Sequence, residues 1–209
     1  MLAQLHPLLD VGLGGQCPLL FNLSSPSYDP RRNMSVGPSG YHPLSENELN
    51  QPATSPYVMR AKITCDDLPG WSITVKPSGY SVLTVNDVLT AIHRAMQRQI
   101  TQPEWDKLSK ESAAAVARAY KHRCRAQGAD EEKRGVKRVD YLRDQYMFKG
   151  LTYSGFEHLV LVVRDRVEKA VTASLAPPQV VATSQVEVMT GAVVEALQSI
   201  TIGTSSRRY

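Results

Sequence analysis

Residues 59–77 read MRAKITCDDLPGWSITVKP, and their alternation decides the fold class. Met59, Ala61 and Ile63 alternate with Arg60, Lys62 and Thr64, and Trp71, Ile73 and Val75 alternate with Ser72 and Thr74. A period of two puts successive side chains on opposite faces of a strand, so each run has one apolar and one polar face. The DDLPG between the runs supplies Asp, Pro and Gly, which favour a turn. The spacing predicts an antiparallel hairpin over 57–65 and 71–76 with one face buried, and Trp71 as an anchor of that face.

Downstream the period changes from two to about 3.6. In TVNDVLTAIHRAMQRQ (84–99), Val85, Val88, Leu89, Ile92 and Met96 share one helical face, and Thr84 and Asp87 have the spacing of a capping box. His93 falls beside the apolar stripe with Arg94 and Arg98 as neighbours, which reads as a partly exposed structural histidine rather than a base. Thr101 and Glu104 repeat the box, with Pro103 in the first turn, and open a helix that runs to Gly128 with a break near Ser109. Toward its end, residues 118–138 hold eight Lys or Arg against three acids. Part of that bias suits a helix C-terminus, where cations offset the dipole. Arg118, Lys121, Arg123, Arg125, Lys137 and Arg138 are the candidates for an anion-binding surface, against the plainer reading of a solvated helix end.

The segment GVKRVDYLRDQYMFKGL (135–151) follows. Val136, Val139 and Leu142 recur every three residues, as in a short helical turn facing the core. Tyr146 and Phe148 then alternate with Met147 and Lys149 toward extended structure. The segment reads as a latch that brings the basic loop back onto the sheet, with Asp140 and Asp144 holding nearby arginines. As a site, it would have to bring His93, Arg138 and Asp140 to one cleft. FEHLVLVVRD (156–165) is a buried strand by composition.

The ends are different in character. Residues 1–56 read as an irregular leader with one strand within 18–25, followed by a stretch rich in Pro, Gly, Ser and Asn that wraps the surface. Residues 57–165 form the core domain, and 166–209 a linker and an amphipathic C-terminal helix. With 209 residues, 42% hydrophobic and 21% charged, the chain suits one folded domain, and a net charge of +4 falls short of a dedicated nucleic-acid binder.

Three scattered cysteines offer neither metal spacing nor a disulfide framework and suit a reducing compartment. No signal peptide and no membrane span is read, so the expected location is cytoplasmic, with the nucleus as the alternative. The histidines lack ligand spacing, the glycines at 12, 14 and 15 lack a helix after them, and Cys124 and His122 stand two apart on a helix and point away from each other. No metal, cofactor or catalytic signature emerges.

PLLFNLSSP, QPATSP, WSITVKP, TVNDVLTAIHRAMQRQITQPEWDKL, VARAYKHRC and GVKRVDYLRDQYMFKGL, in this order, resemble a fungal family of domains of unknown function found mainly in basidiomycetes. The likeness covers roughly residues 5–165. It implies an intracellular fungal domain that occurs in paralogous sets, with no established activity or catalytic residues to carry over. The fold expected is α+β: a small, mostly antiparallel sheet from 18–24, 57–65, 71–76 and 157–163, covered by helices at 85–99 and 103–127. The function expected is a non-enzymatic protein-interaction or regulatory module with an unknown protein partner. The alternatives are an accessory protein or enzyme of fungal secondary metabolism, and anion or nucleic-acid binding through 118–138.

Overall fold

The protein is described by a computed structural model over residues 4–11, 18–33, 40–68, 70–79, 82–155 and 157–164. Its strands are β1 (Gln4–Leu5), β2 (Leu19–Leu20), β3 (Arg31–Asn33), β4 (Tyr41–Pro43), β5 (Thr54–Ser55), β6 (Ala61–Thr64), β7 (Ser72–Val75), β8 (Met147–Gly155) and β9 (His158–Arg164). Its helices are α1 (Glu46–Leu49), α2 (Val85–Met96), α3 (Gln102–Asp106), α4 (Lys110–Gln127) and α5 (Ala129–Lys133), with a 3-10 turn at Arg138–Leu142. The architecture is α+β. The main sheet has the order β7-β6-β9-β8. Both hairpins are antiparallel, and the two inner strands run parallel to each other.

The hairpin read from alternation is present, with Ala61 opposite Val75 and Thr64 opposite Ser72. Ala61, Ile63 and Val75 are buried, whereas Met59 is 62% exposed, so β6 begins only at Ala61. Trp71 is half-buried and packs against the core edge. Helix α2 starts where its box predicts: Thr84 Oγ1 accepts from Asp87 N at 3.1 Å, and Asp87 Oδ2 accepts from Thr84 N at 2.9 Å. It buries Val85, Val88, Leu89, Ile92 and Met96 in the same core as Ile63, Phe148, Leu151 and Leu159. Each such side chain contributes about 1.5–3 kcal/mol by leaving water.

Three expectations are corrected. The fourth strand of the main sheet is β8, not 18–24; only Leu19–Leu20 of that segment is a strand, and it pairs with β3 in a separate three-stranded sheet. The break near Ser109 is present, with Ser109 as the N-cap of α4, but α4 lies on α5 and the 3-10 turn rather than on the sheet. Its sequence explains this, because only Val116 and Arg123 of its 18 residues are buried. His93 is also buried rather than partly exposed, since Phe21 and Tyr28 pack about it with ring centroids at 5.9 and 5.8 Å.

The leader contributes Leu8, Leu9, Leu19, Phe21 and Leu23 to the core. It also covers the outer edge of β8. Leu151 N donates to Leu9 O at 2.7 Å, Phe148 N donates to Phe21 O at 2.9 Å, and Leu23 N donates to Tyr146 O at 3.0 Å. Gly150 makes this approach possible. It sits at a β-bulge with φ +134°, and a Cβ there would lie 2.8 Å from Val11 N. The linker and amphipathic helix expected in 166–209 lie outside the described residues.

Candidate functional site

The 135–151 segment closes on a buried ionic cluster. Gly128 ends α4 at φ +98°, α5 turns the chain, and the 3-10 turn then passes beneath α4. This path places Arg123, Glu131, Lys137 and Asp140 together, all four buried. Arg123 donates to Asp140 through two nitrogens at 2.8 and 2.9 Å, to Glu131 Oε2 at 2.6 Å and to Gly135 O at 3.0 Å. Lys137 Nζ donates to Glu131 at 2.5 Å and to Gln97 Oε1 at 2.8 Å. Gln97 in turn donates to Leu23 O and Ser25 O. Two cations thus meet two carboxylates, and a fork-to-fork pair fixes Arg123 against Asp140. The cluster joins α2, α4, α5, the 3-10 turn and the leader.

Burial opposes ionisation of Glu131, but the Lys137 hydrogen bond and the charges of Lys137, Arg123 and Arg134 outweigh it and hold its carboxyl below the usual range. Burial likewise opposes ionisation of Asp87, and the hydrogen bonds from Ser78 and Thr84 hold it low. A carboxylate with a depressed folded-state pKa stabilises the fold above its unfolded value and loses that contribution as pH falls through the folded value. Stability should therefore be level above about pH 5 and fall steadily below about pH 4. Urea titrations across that range check this, and Glu131→Gln should flatten the slope.

The other site candidates are dispersed. Arg138 stacks its guanidinium 4.4 Å from the Trp71 ring centroid and pairs with Glu104 at 3.4 Å, beside Tyr141. His93 Nε2 is 2.9 Å from the Ser25 carbonyl oxygen. Asp140 is held by Arg123 and by the Lys137 amide at 2.8 Å. His93, Arg138 and Asp140 therefore do not converge on one cleft. Burial, with Asp67 and Asp66 nearby, pushes the Cys65 thiol up to about 11, which removes it as a nucleophile at neutral pH. Among the described residues no group of three or more His, Cys, Asp or Glu is placed to hold a metal.

Of the six anion candidates, Arg123, Lys137 and Arg138 face the protein and are paired, so they are corrected out of the surface. Arg118, Lys121 and Arg125 remain exposed. Their spacing on α4 puts them on one face with His122. They line a hollow of about 500 Å³ with Arg143 and Asp144. A second hollow, about 460 Å³, adjoins it through Ala119, His122, Arg143 and Asp144 and is floored by Asn22, Ser24 and Gln127. Gln127 donates to Ser24 O at 2.8 Å and leaves its own Oε1 buried without a partner. Arg118, Lys121, His122, Arg125 and Arg143 make no ion pair among the described residues, and Asp144 is the single acid in the outer hollow. A cleft lined mainly by one sign of charge concentrates its field on an incoming anion.

Sequence reasoning did not find Arg143. It caps the 3-10 turn at φ +57°, ψ −114°, a conformation that favours glycine, and its side chain reaches both hollows. Strained backbone of this kind clusters at functional sites, which makes Arg143 a candidate. Arg143→Gly should raise stability by about 1 kcal/mol and at the same time weaken retention on a polyanion. Thermal melting and salt elution from heparin measure the two effects.

No curated protein and no solved structure matches the chain. The model of the Family of unknown function (DUF6699) matches residues 19–167, a span that holds the main sheet, the ionic cluster and the basic α4 face. The chain is a member of that family.

Proposed function

We propose that the protein is a non-enzymatic interaction module that captures an acidic segment of a partner protein on the exposed face of α4. One observation carries this reading: Arg118, Lys121, His122, Arg125 and Arg143 crowd the outer hollow, where Asp144 is the one acid, and make no ion pair among the described residues, while Arg123 and Lys137 close by are neutralised. Self-neutralised charges hold the fold, whereas unpaired ones of like sign raise the local potential and favour an anionic ligand. We assign this activity to the cytoplasm on the strength of the resemblance to intracellular fungal domains. Among the described residues no helix is long and apolar enough to cross a membrane.

The combined Arg118→Glu, Lys121→Glu, Arg125→Glu variant changes only exposed side chains, so it should melt like the parent. Its affinity for a polyanion such as heparin should fall tenfold or more, by about 1.4 kcal/mol for each factor of ten. Capture from cell extract of acidic proteins that are lost with the variant and survive nuclease treatment supports the reading. Partners abolished by nuclease would mark a nucleic-acid binder instead, with phosphate contacts and steep salt dependence. Unchanged heparin elution and unchanged partners would overturn both.

A further inference from the structure

We propose a second interaction surface: the open edge of β7, with the groove between β7 and α2, docks an extended acidic peptide of a partner protein as an added strand. The two edges of the main sheet are treated unequally. The leader hydrogen-bonds along β8, whereas β7 is a terminal strand and pairs only with β6 among the described residues. An open strand edge carries unpaired N–H and C=O groups that template another strand. Strand addition draws affinity from those main-chain groups and specificity from pockets for alternate side chains.

Beside that edge lies a groove of about 760 Å³ whose walls include Ile73, Thr74 and Lys76 from the strand side and Asn86, Ala91 and Arg94 from α2. Ile73 and Ala91 are half-buried and apolar, and Lys76 and Arg94 are exposed. A peptide laid in extended form along this edge passes Ile73 and Ala91 as well as Lys76 and Arg94, so apolar and acidic side chains both find partners along the groove.

Charge selects the partner. Lys76 and Arg94 make no ion pair among the described residues. The one carboxylate in the groove, Asp87, is buried and accepts four hydrogen bonds from Ser78 and Thr84. Past Arg94 the surface continues into another hollow, about 480 Å³, with the exposed Arg98 in its lining and Arg134 beside it paired with Glu131. A basic or neutral peptide gains nothing from this field, and an acidic one is drawn along it.

The test uses the full chain with a labelled octapeptide alternating valine and glutamate, and a valine-lysine octapeptide as control. At millimolar peptide, the glutamate form should slow amide exchange at Ser72–Val75 and the lysine form should not. Lys76→Glu with Arg94→Glu should weaken the glutamate peptide about tenfold and leave the melting temperature unchanged. Three results would overturn the proposal: no protection of these amides, equal binding of both peptides, or protection that appears without peptide on self-association. The last would assign the edge to a second copy of the chain.

Discussion

Replacing Arg123 by leucine is expected to destabilise the protein by about 3–5 kcal/mol, a large share of the 5–15 kcal/mol typical of a domain. The substitution removes the bidentate partner of Asp140 and one of the cations on Glu131, and both carboxylates stay buried. An uncompensated charge in that position must either draw in water or take up a proton, and each route loosens the 3-10 turn. Urea unfolding at neutral pH measures the loss. Exchanging all four charges for apolar residues of similar volume (Arg123→Met, Glu131→Leu, Lys137→Met, Asp140→Leu) should recover much of it, because desolvation of the ions is then avoided. Recovery stays partial, since the Lys137 amide loses its Asp140 acceptor and the Gly135 carbonyl its Arg123 donor.

Gly150→Ala is expected to cost about 2–3 kcal/mol. Two effects combine at this position. The backbone has φ +134°, which side-chain-bearing residues rarely adopt, and the added methyl meets the Val11 backbone at 2.8 and 3.0 Å. Backbone cannot rotate aside as a side chain does, so the Leu9–Val11 segment must lift from β8. The measurable consequence is a lower denaturation midpoint together with faster proteolysis within residues 4–11. Gly135→Ala provides a graded comparison. Its φ is +67°, but the Cβ meets only the flexible end of Gln99, so the loss should be nearer 1 kcal/mol.

The parts of the fold written locally were legible. Alternation around Ile63 and Ile73 gives the first hairpin, and the boxes Thr84–Asp87 and Thr101–Glu104 mark helix starts because each pairs atoms only three residues apart. The leader was harder to read. Its strands pair with one another but are only two or three residues long, too short for alternation to show, and its contacts with β8 join residues far apart in sequence, although the Ser45–Glu48 box that opens α1 was available. The 135–151 segment reads as a latch and the structure supplies its bolts, but the identity of the bolts was hidden. Arg123 stands among Arg118, Lys121 and Arg125 in one polar run. The usable signal was position: Arg123 lies seven residues after Val116, on the face of α4 that turns inward. That same helical arithmetic would have sorted Arg123 from the three cations that stay in solvent.

The hydrogen bonds between the leader and β8 also set the order of events during synthesis. Leu9 and Phe21 leave the ribosome first, and their acceptors wait for Leu151 and Phe148, which emerge near the end of the described chain. Until then the leader's seven core side chains lack the β8–β9 hairpin that completes their core. Helix α2 can form as it emerges, whereas closure of the sheet depends on the non-local pairing of β6 with β9, the kind of contact that slows folding and prolongs exposure of apolar surface. The β8–β9 hairpin therefore both completes the main sheet and gives the earlier-made leader its place.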